Sequence, residues 1–279
     1  KDLIGSTEIS FTSQINTKVD TLFLCLGHGN STTFLENNNF SKNTKIIDLS
    51  NDFRLFADKK FEGKDFVYGL PELDKTVIKT AKYIANPGCF ATALQLAILP
   101  LAAKGLLNND IHINAVTGAT GAGTSLSATT HFTYRDNNFS HYKAFNHQHL
   151  GEINQTVNQL QANFNAEINF VPNRGNFSRG IFATTYTKYD GSLDDAIKIY
   201  KEYYKNAAFT FVSDEEIHLK QVVNTNKCLI HLAKHGTKLL ITSTIDNLLK
   251  GASGQAIQNL NLMYGFEETL GLNLKASYF

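Results

Sequence analysis

The stretch Asn86-Pro87-Gly88-Cys89-Phe90 sets a thiol directly behind a Pro-Gly turn, at the start of an Ala- and Leu-rich run. A free thiol near neutral pH is only slightly ionised, because its ordinary pKa is about 8.5. At a helix start the unpaired N–H groups and the macrodipole favour the anion, and such cysteines fall to roughly 3.5–7.5. Cys89 is therefore expected to be an activated nucleophile, against the alternative of a buried cysteine acting as a small hydrophobe. Cys25, inside the apolar run Val19 to Leu26, and Cys228, inside Val222 to Leu232, read as core residues of strands. Alkylation of the native protein near neutral pH is expected to modify Cys89 faster than either.

A thiolate nucleophile needs a proton partner. His147-Gln148-His149 brackets the start of a predicted helix, and Glu152 follows closely enough to orient one imidazole as general base. A zinc site on the same pair needs a third ligand. His131 is a candidate, but no acidic or cysteine ligand accompanies it, and metal binding is not expected. Three scattered cysteines without a Cys-x-x-Cys pair point the same way, and toward reduced thiols in a cytoplasmic compartment.

The elements that must position these groups show as two kinds of pattern. Val19 to Leu26, Lys45 to Leu49 and Tyr83 to Ala85 are short apolar runs. Each ends in a turn: Gly27-His28-Gly29, Ser50-Asn51-Asp52 and Asn86-Pro87-Gly88. They read as parallel strands of a doubly wound nucleotide sheet. No G-x-G-x-x-G unit precedes them, so the nucleotide fold is expected to be incomplete at its N-terminus. Phe90 to Lys104 reads as a helix, with Pro100 expected to bend it or end it early. Ile111 to Val116 reads as a strand leading into the glycine-rich Thr117 to Gly123. Leu150 to Phe164 and Leu193 to Lys205 read as helices. Glu167 to Val171, Gly180 to Lys188, Val222 to Leu232 and Lys238 to Ile245 read as strands, the last three suiting an antiparallel or mixed sheet. A final helix is expected from Lys250 to about Tyr264. No repeats or low-complexity linkers interrupt the chain.

Composition bounds the partners. Hydrophobic residues make up 42% and charged residues 18% of the 279, and the net charge is +1 without basic runs. This describes a soluble globular protein with no electrostatic footprint for nucleic acid or an anionic membrane. No apolar run is long enough to span a bilayer, and the opening Lys1-Asp2-Leu3-Ile4-Gly5 lacks a signal-peptide pattern.

Asn86-Pro87-Gly88-Cys89-Phe90-Ala91-Thr92, continuing through Leu94, Leu96 and Leu99-Pro100, resembles the active-site signature of N-acetyl-γ-glutamyl-phosphate reductases. Further segments resemble the same family in the same order. They are Ile47 to Ser50 with Asp52-Phe53-Arg54, Tyr68 to Leu73, Thr117-Gly118 with Gly121 to Gly123, His147-Gln148-His149 with Glu152-Ile153, Arg179-Gly180, and Gly251 to Ala256. The chain differs where Gln148 replaces a frequent Arg and Gly151 a usual Pro.

The resemblance implies an aspartate-semialdehyde-dehydrogenase-like architecture. A Rossmann-type α/β nucleotide domain at 1–88, with 250–279 returning to it, joins an α+β catalytic and oligomerisation domain at 89–249 with a mainly antiparallel sheet. It implies NADPH-dependent reduction of an N-acyl-γ-glutamyl phosphate through a thioester on Cys89, in arginine biosynthesis, by a homo-oligomer, dimer or tetramer. The acyl group is left open between acetyl and succinyl. His147 is the implied acid/base with His149 close behind, and Glu152 would orient one of them. Cofactor contacts are expected from Gly27, His28 and Gly29 and from Gly251, Ala252 and Gln255, where backbone N–H groups can meet a phosphate or amide. Asn86, Gly118, Gly121 and Arg179 are expected at the substrate, with Arg54, Arg135 and Arg174 as further candidates for its carboxylates. The rival readings are a related enzyme such as aspartate-semialdehyde dehydrogenase and a non-catalytic module retaining the fold.

Overall fold

The computed structural model describes residues 5–123 and 125–278; Lys1 to Ile4, read above for a signal peptide, lie outside them. Along the chain run β1 (Thr21–Leu24), α1 (Ser31–Asn37), β2 (Lys45–Asp48), a small hairpin of β3 (Lys60–Phe61) and β4 (Lys64–Asp65), β5 (Val67–Tyr68), α2 (Pro71–Thr80), β6 (Tyr83–Ala85) and α3 (Cys89–Ala103). There follow β7 (Ile111–Thr117), α4 (Phe132–Arg135), β8 (Ser140–His141), α5 (His149–Leu160), β9 (Ile168–Arg174), β10 (Ile181–Lys188), α6 (Leu193–Tyr204), β11 (Thr210–Ser213), β12 (Cys228–His235), β13 (Lys238–Ile245) and α7 (Gly254–Tyr264).

The first sheet has the order β1-β2-β6-β5 and is parallel throughout. Successive side chains of a strand point to opposite faces, and both faces here are covered, which is why the strands read as continuous apolar runs. Ile47 and Ile84 pack with Ile78 of α2 and with Ala256, Leu262 and Met263 of α7. Leu24, Ile46 and Ala85 pack on the other side with Leu35, Phe53 and Phe66. The last helix thus belongs to the first sheet's core. One expectation fails here. Pairing of β1 with β2 stops at Leu24 opposite Asp48, so Cys25 lies past the strand and is exposed instead of buried.

The second sheet has seven strands in the order β11-β12-β13-β10-β7-β9-β8, mainly antiparallel, with parallel pairs at β11–β12 and β7–β9. The expected strand from Val222 is shorter than its apolar residues suggest. Asn224, at φ 71, donates its backbone N–H to Asp246 at 2.7 Å, and the chain turns before β12 begins at Cys228. Cys228 itself is buried, as expected.

Helix α3 is buried along its whole length from Phe90 to Ala102, between the second sheet and helices α5 and α6. Its uniformly apolar sequence is what a core helix requires. Pro100 neither ends nor shortens it. A proline there has no N–H for the carbonyl of Leu96, one turn back. The Tyr204 hydroxyl of α6 donates to that carbonyl at 2.6 Å, and Tyr200 donates to the neighbouring Ala97 carbonyl at 2.5 Å.

Helix α7 is entered through a widened turn at Leu249–Ser253. Lys250 in this turn is fully buried, and its ammonium bonds Glu72 at 2.7 Å and Gln258 at 3.0 Å. A buried ammonium is tolerable only with such partners. Among the described residues no helix is long and apolar enough to cross a membrane.

Removing the Tyr204 hydroxyl leaves a buried carbonyl without a donor. Tyr204→Phe is expected to lower unfolding free energy in urea by about 1–3 kcal/mol with the fold unchanged; no loss would mean the Leu96 carbonyl finds another donor.

Candidate active site

Ligands of open parallel sheets bind outside the carboxyl ends of the strands. A cleft of about 550 Å³ lies there. His28, Leu49 and Asn86 come to it from the first sheet, Cys89 from the first turn of α3, and His147 and His149 from the lead into α5.

Cys89 is the first residue of α3, as the Pro-Gly turn predicts. Two close approaches fix it. A Cβ on Gly88 would lie 2.3 Å from His149 Nε2, and a Cβ on Gly251 would lie 2.8 Å from Cys89 Cβ. Only glycine lets the imidazole and the α7 turn pack this closely against the thiol-bearing backbone.

Glu152 anchors the turn from behind. Its Oε2 accepts the Gly88 backbone N–H at 3.0 Å and the Tyr68 hydroxyl at 2.7 Å, while its Oε1 pairs with Arg54 at 3.2 Å. Gln95 of α3 donates to Tyr68 at 2.9 Å. The guanidinium of Arg54 also donates to the Asn86 carbonyl at 2.8 Å and the Leu49 carbonyl at 2.9 Å. Glu152 is thus a buried, fully engaged carboxylate 3.9 Å from His149 Nε2.

The thiol departs from expectation. Cys89 is half-buried and reaches the cleft, but burial pushes its pKa up to about 11, outweighing the downward pull of the Phe90 backbone N–H and of Arg54. The helix-start effect is real yet smaller than desolvation by the surrounding core. Both imidazoles are driven the other way. Burial, and then the charge of Lys143, lowers His147 to about 4; burial, and then His147, lowers His149 well below the ordinary value. At neutral pH the resting site therefore holds a thiol and two neutral imidazoles. His147 Nδ1 accepts the His149 backbone N–H at 3.2 Å, whereas His149 Nδ1 is buried without a partner.

The structure brings Asn86, Cys89, Gly121, His28, His147, His149, Gly251 and Ala252 to one cleft, with Glu152 behind it. Other expected residues lie off it. The Gly29 backbone N–H donates to Asp52 at 2.7 Å, and the Ser31 and Thr32 N–H groups also reach Asp52. The Gly29 donor of the turn is thus held by a carboxylate, while His28 enters the cleft. Gln255 is buried with its amide on Thr92 at 3.0 Å. A Cβ on Gly118 would meet the Ser178 carbonyl at 2.5 Å, so that glycine serves backbone packing. Arg179 is tied to Asp246 at 3.0 Å and to Asn224. Arg135 donates to the Asn138 carbonyl at 3.0 Å. The sequence reading missed Tyr142, Lys143 and Asn247 on the cleft wall, which no motif or spacing marks. His131 is not on it, and among the described residues no group of three His, Cys, Asp or Glu could hold a metal ion.

Two consequences for thiol chemistry revise the expectation above. Exposed Cys25, not Cys89, is expected to take iodoacetamide first near neutral pH. The rate at Cys89, read by peptide mass mapping, should climb toward pH 11 without levelling off at the ordinary thiol value of about 8.5; a plateau near neutrality would contradict the protonated thiol.

Comparison with known proteins agrees with this geometry. The family described as "Semialdehyde dehydrogenase, NAD binding domain" matches residues 3–81, and "Semialdehyde dehydrogenase, dimerisation domain" matches 89–247. The N-acetyl-gamma-glutamyl-phosphate reductase of Christiangramia forsetii is 69% identical over 279 residues, covering 100% of this chain and 86% of that protein. The protein of the same name from Flavobacterium johnsoniae is 63% identical over 278 residues, with 100% and 86% covered. Among solved structures, aspartate semialdehyde dehydrogenase II from Vibrio cholerae superposes with a TM-score of 0.68 at 15% identity, covering 89% of this chain and 81% of that one, a likeness of fold. With a nicotinamide-binding unit, a cysteine at the mouth of α3 and relatives at this identity, the chain belongs to the N-acetyl-gamma-glutamyl-phosphate reductase family of semialdehyde dehydrogenases.

Proposed function

We propose that this chain reduces an N-acyl-γ-glutamyl phosphate to the semialdehyde and inorganic phosphate with NADPH, through a thioester on Cys89, as a step of arginine biosynthesis in the cytoplasm. The observation that carries the reading is Cys89 at the start of α3, opening with His147 and His149 into a cleft at the carboxyl ends of a parallel sheet. Residues 1–88 with 250–279 form the cofactor side and 89–249 the catalytic side, α7 being packed on the first sheet. The fit to a dinucleotide is supported by His28, Leu49, Gly251 and Ala252 facing the same cleft as Cys89, with no side chain on Gly251 to obstruct it. When bound, the cofactor supplies the hydride. The choice of NADP(H) over NAD(H) follows the resemblance read from the sequence and is tested by comparing kcat/KM for NADPH and NADH.

Cys89 attacks the acyl carbon; the bond from carbon to the phosphate oxygen breaks and the thioester forms. The thiol proton needs an acceptor. His149 suits it, because its Nδ1 has no partner and Glu152 lies beside its other nitrogen. His147 already accepts a backbone N–H at Nδ1, so in its neutral form the ring proton sits on Nε2 and the residue acts as a donor to the reacting oxygen. Transfer from sulfur to imidazole makes an ion pair whose attraction in a low-dielectric cleft offsets the separate costs of burial. Neutral partners at rest are the form that a dry site favours.

A homo-oligomer, dimer or tetramer, fits the second sheet, which carries α3, α5 and α6 on one face and leaves Tyr186 exposed. Sedimentation of the purified chain reads that state.

Mixing the protein with its acyl phosphate in the absence of NADPH should release one phosphate per chain and add the acyl mass to the Cys89 peptide. Cys89→Ser should abolish both while the fold survives, and turnover retained in that variant would remove the mechanism. His149→Asn should slow phosphate release, and His147→Asn chiefly the later reduction, each by roughly 10²–10⁴; the reverse pattern swaps the two roles. Since burial lowers both imidazoles, His149 well below the ordinary range, the kcat/KM profile should show no acid limb at the ordinary histidine value of 6.5, activity persisting as pH falls well below it.

A further inference from the structure

Arg54, Lys143 and Arg174 line the cleft, and among the described residues no lining side chain is a carboxylate. Such a chamber favours an anionic guest. Which cation meets it is decided by what each already holds. Arg54 is engaged by Glu152 and two carbonyls, and Arg179, off the cleft, by Asp246. Arg174 is different. Among the described residues no carboxylate lies within ion-pair distance of it; its Nε, like that of Arg179, is buried without a hydrogen-bond partner. Its guanidinium rests over the Tyr142 ring, 4.8 Å from the centroid. A guanidinium held on an aromatic ring offers its outer edge as a two-donor fork, the shape that matches a carboxylate.

The segment facing Arg174 is unusual in its backbone. Lys143 and Phe145 adopt φ values of 45 and 61, a region that side-chain-bearing residues rarely occupy. Hydrogen bonds from Tyr142 N–H to the Pro172 carbonyl at 3.0 Å and from Phe145 N–H to the Phe170 carbonyl at 2.8 Å tie the segment to β9, the strand that ends in Arg174. Conformations of this kind persist where the surroundings over-determine them, and they gather at ligand clamps.

Position separates two anions that a substrate of this type carries. Burial raises the Tyr142 hydroxyl pKa and Cys89 adds to the rise, while the charge of Arg174 and a hydrogen bond from its guanidinium lower it. An anion on Arg174 lies beside the Tyr142 ring. The phosphate, bonded to the carbon under attack, stays at the sulfur; a carboxylate several bonds along the substrate does not.

We propose that Arg174, steadied on Tyr142, binds the carboxylate that the substrate carries remote from its reacting acyl group, and so selects for substrates that have one. This rests on the reductase reading above. The test runs the reaction in the oxidative direction, with N-acetylglutamate semialdehyde, inorganic phosphate and NADP⁺, measuring KM separately for the first two. Arg174→Gln should raise KM for the semialdehyde roughly 10- to 100-fold with little change in kcat, and leave KM for phosphate unchanged. Arg174→Lys, which keeps the charge without the fork, should fall between. An unchanged semialdehyde KM, a rise confined to phosphate, or a fall in kcat alone in both variants would each overturn the assignment. Wild-type protein that oxidises no semialdehyde would overturn the reductase reading, and this assignment with it.

Discussion

The site depends on one buried carboxylate. Glu152 is a charge in the interior, and an interior charge must be fully partnered or it destabilises the fold. Its partners are the Gly88 backbone, Tyr68 and Arg54, and Arg54 in turn holds the carbonyls of Leu49 and Asn86. Through these bonds α5 is joined to the ends of two parallel strands and to the turn that presents Cys89. The same network leaves the carboxylate beside His149. Such networks act as units, so each member fixes the geometry of the others.

Around that anchor the interior sets the protonation states. The start of a helix favours a thiolate, but here the effect competes with the desolvation that comes from an α3 buried from Phe90 onward. Desolvation wins, for the thiol and for both histidines. Reactivity must then come from moving a proton between close partners rather than from a standing anion. A resting thiol beside neutral imidazoles is also less open to stray alkylation and oxidation.

Much of this was legible from local pattern. The parallel strands, α3, and the cluster of Cys89, His147, His149 and Glu152 follow from apolar runs, a Pro-Gly turn and a His-x-His spacing, all features that adjacent residues carry. What was not legible depends on partners distant in sequence. Pro100 reads as a helix breaker until Tyr204, from another helix, donates to the freed Leu96 carbonyl. The Gly29 N–H reads as free to meet a ligand, whereas Asp52, from the next loop, holds it. Cys25 reads as core because its neighbours are apolar, whereas strand pairing ends one residue before it. Arginines could be named as carboxylate binders, but only contacts show that Arg54 and Arg179 are occupied.

The buried Lys250–Glu72 pair has a consequence for when the site comes into being. It fastens the turn holding Gly251, which packs against the Cα and Cβ of Cys89, to a helix some 178 positions earlier in the chain. Contacts of such long range form late, since the chain between must first be closed. Until α7 docks, the first sheet has one flank open and the cysteine lacks the turn packed against it, so a finished reactive pocket exists only once this distant helix is in place.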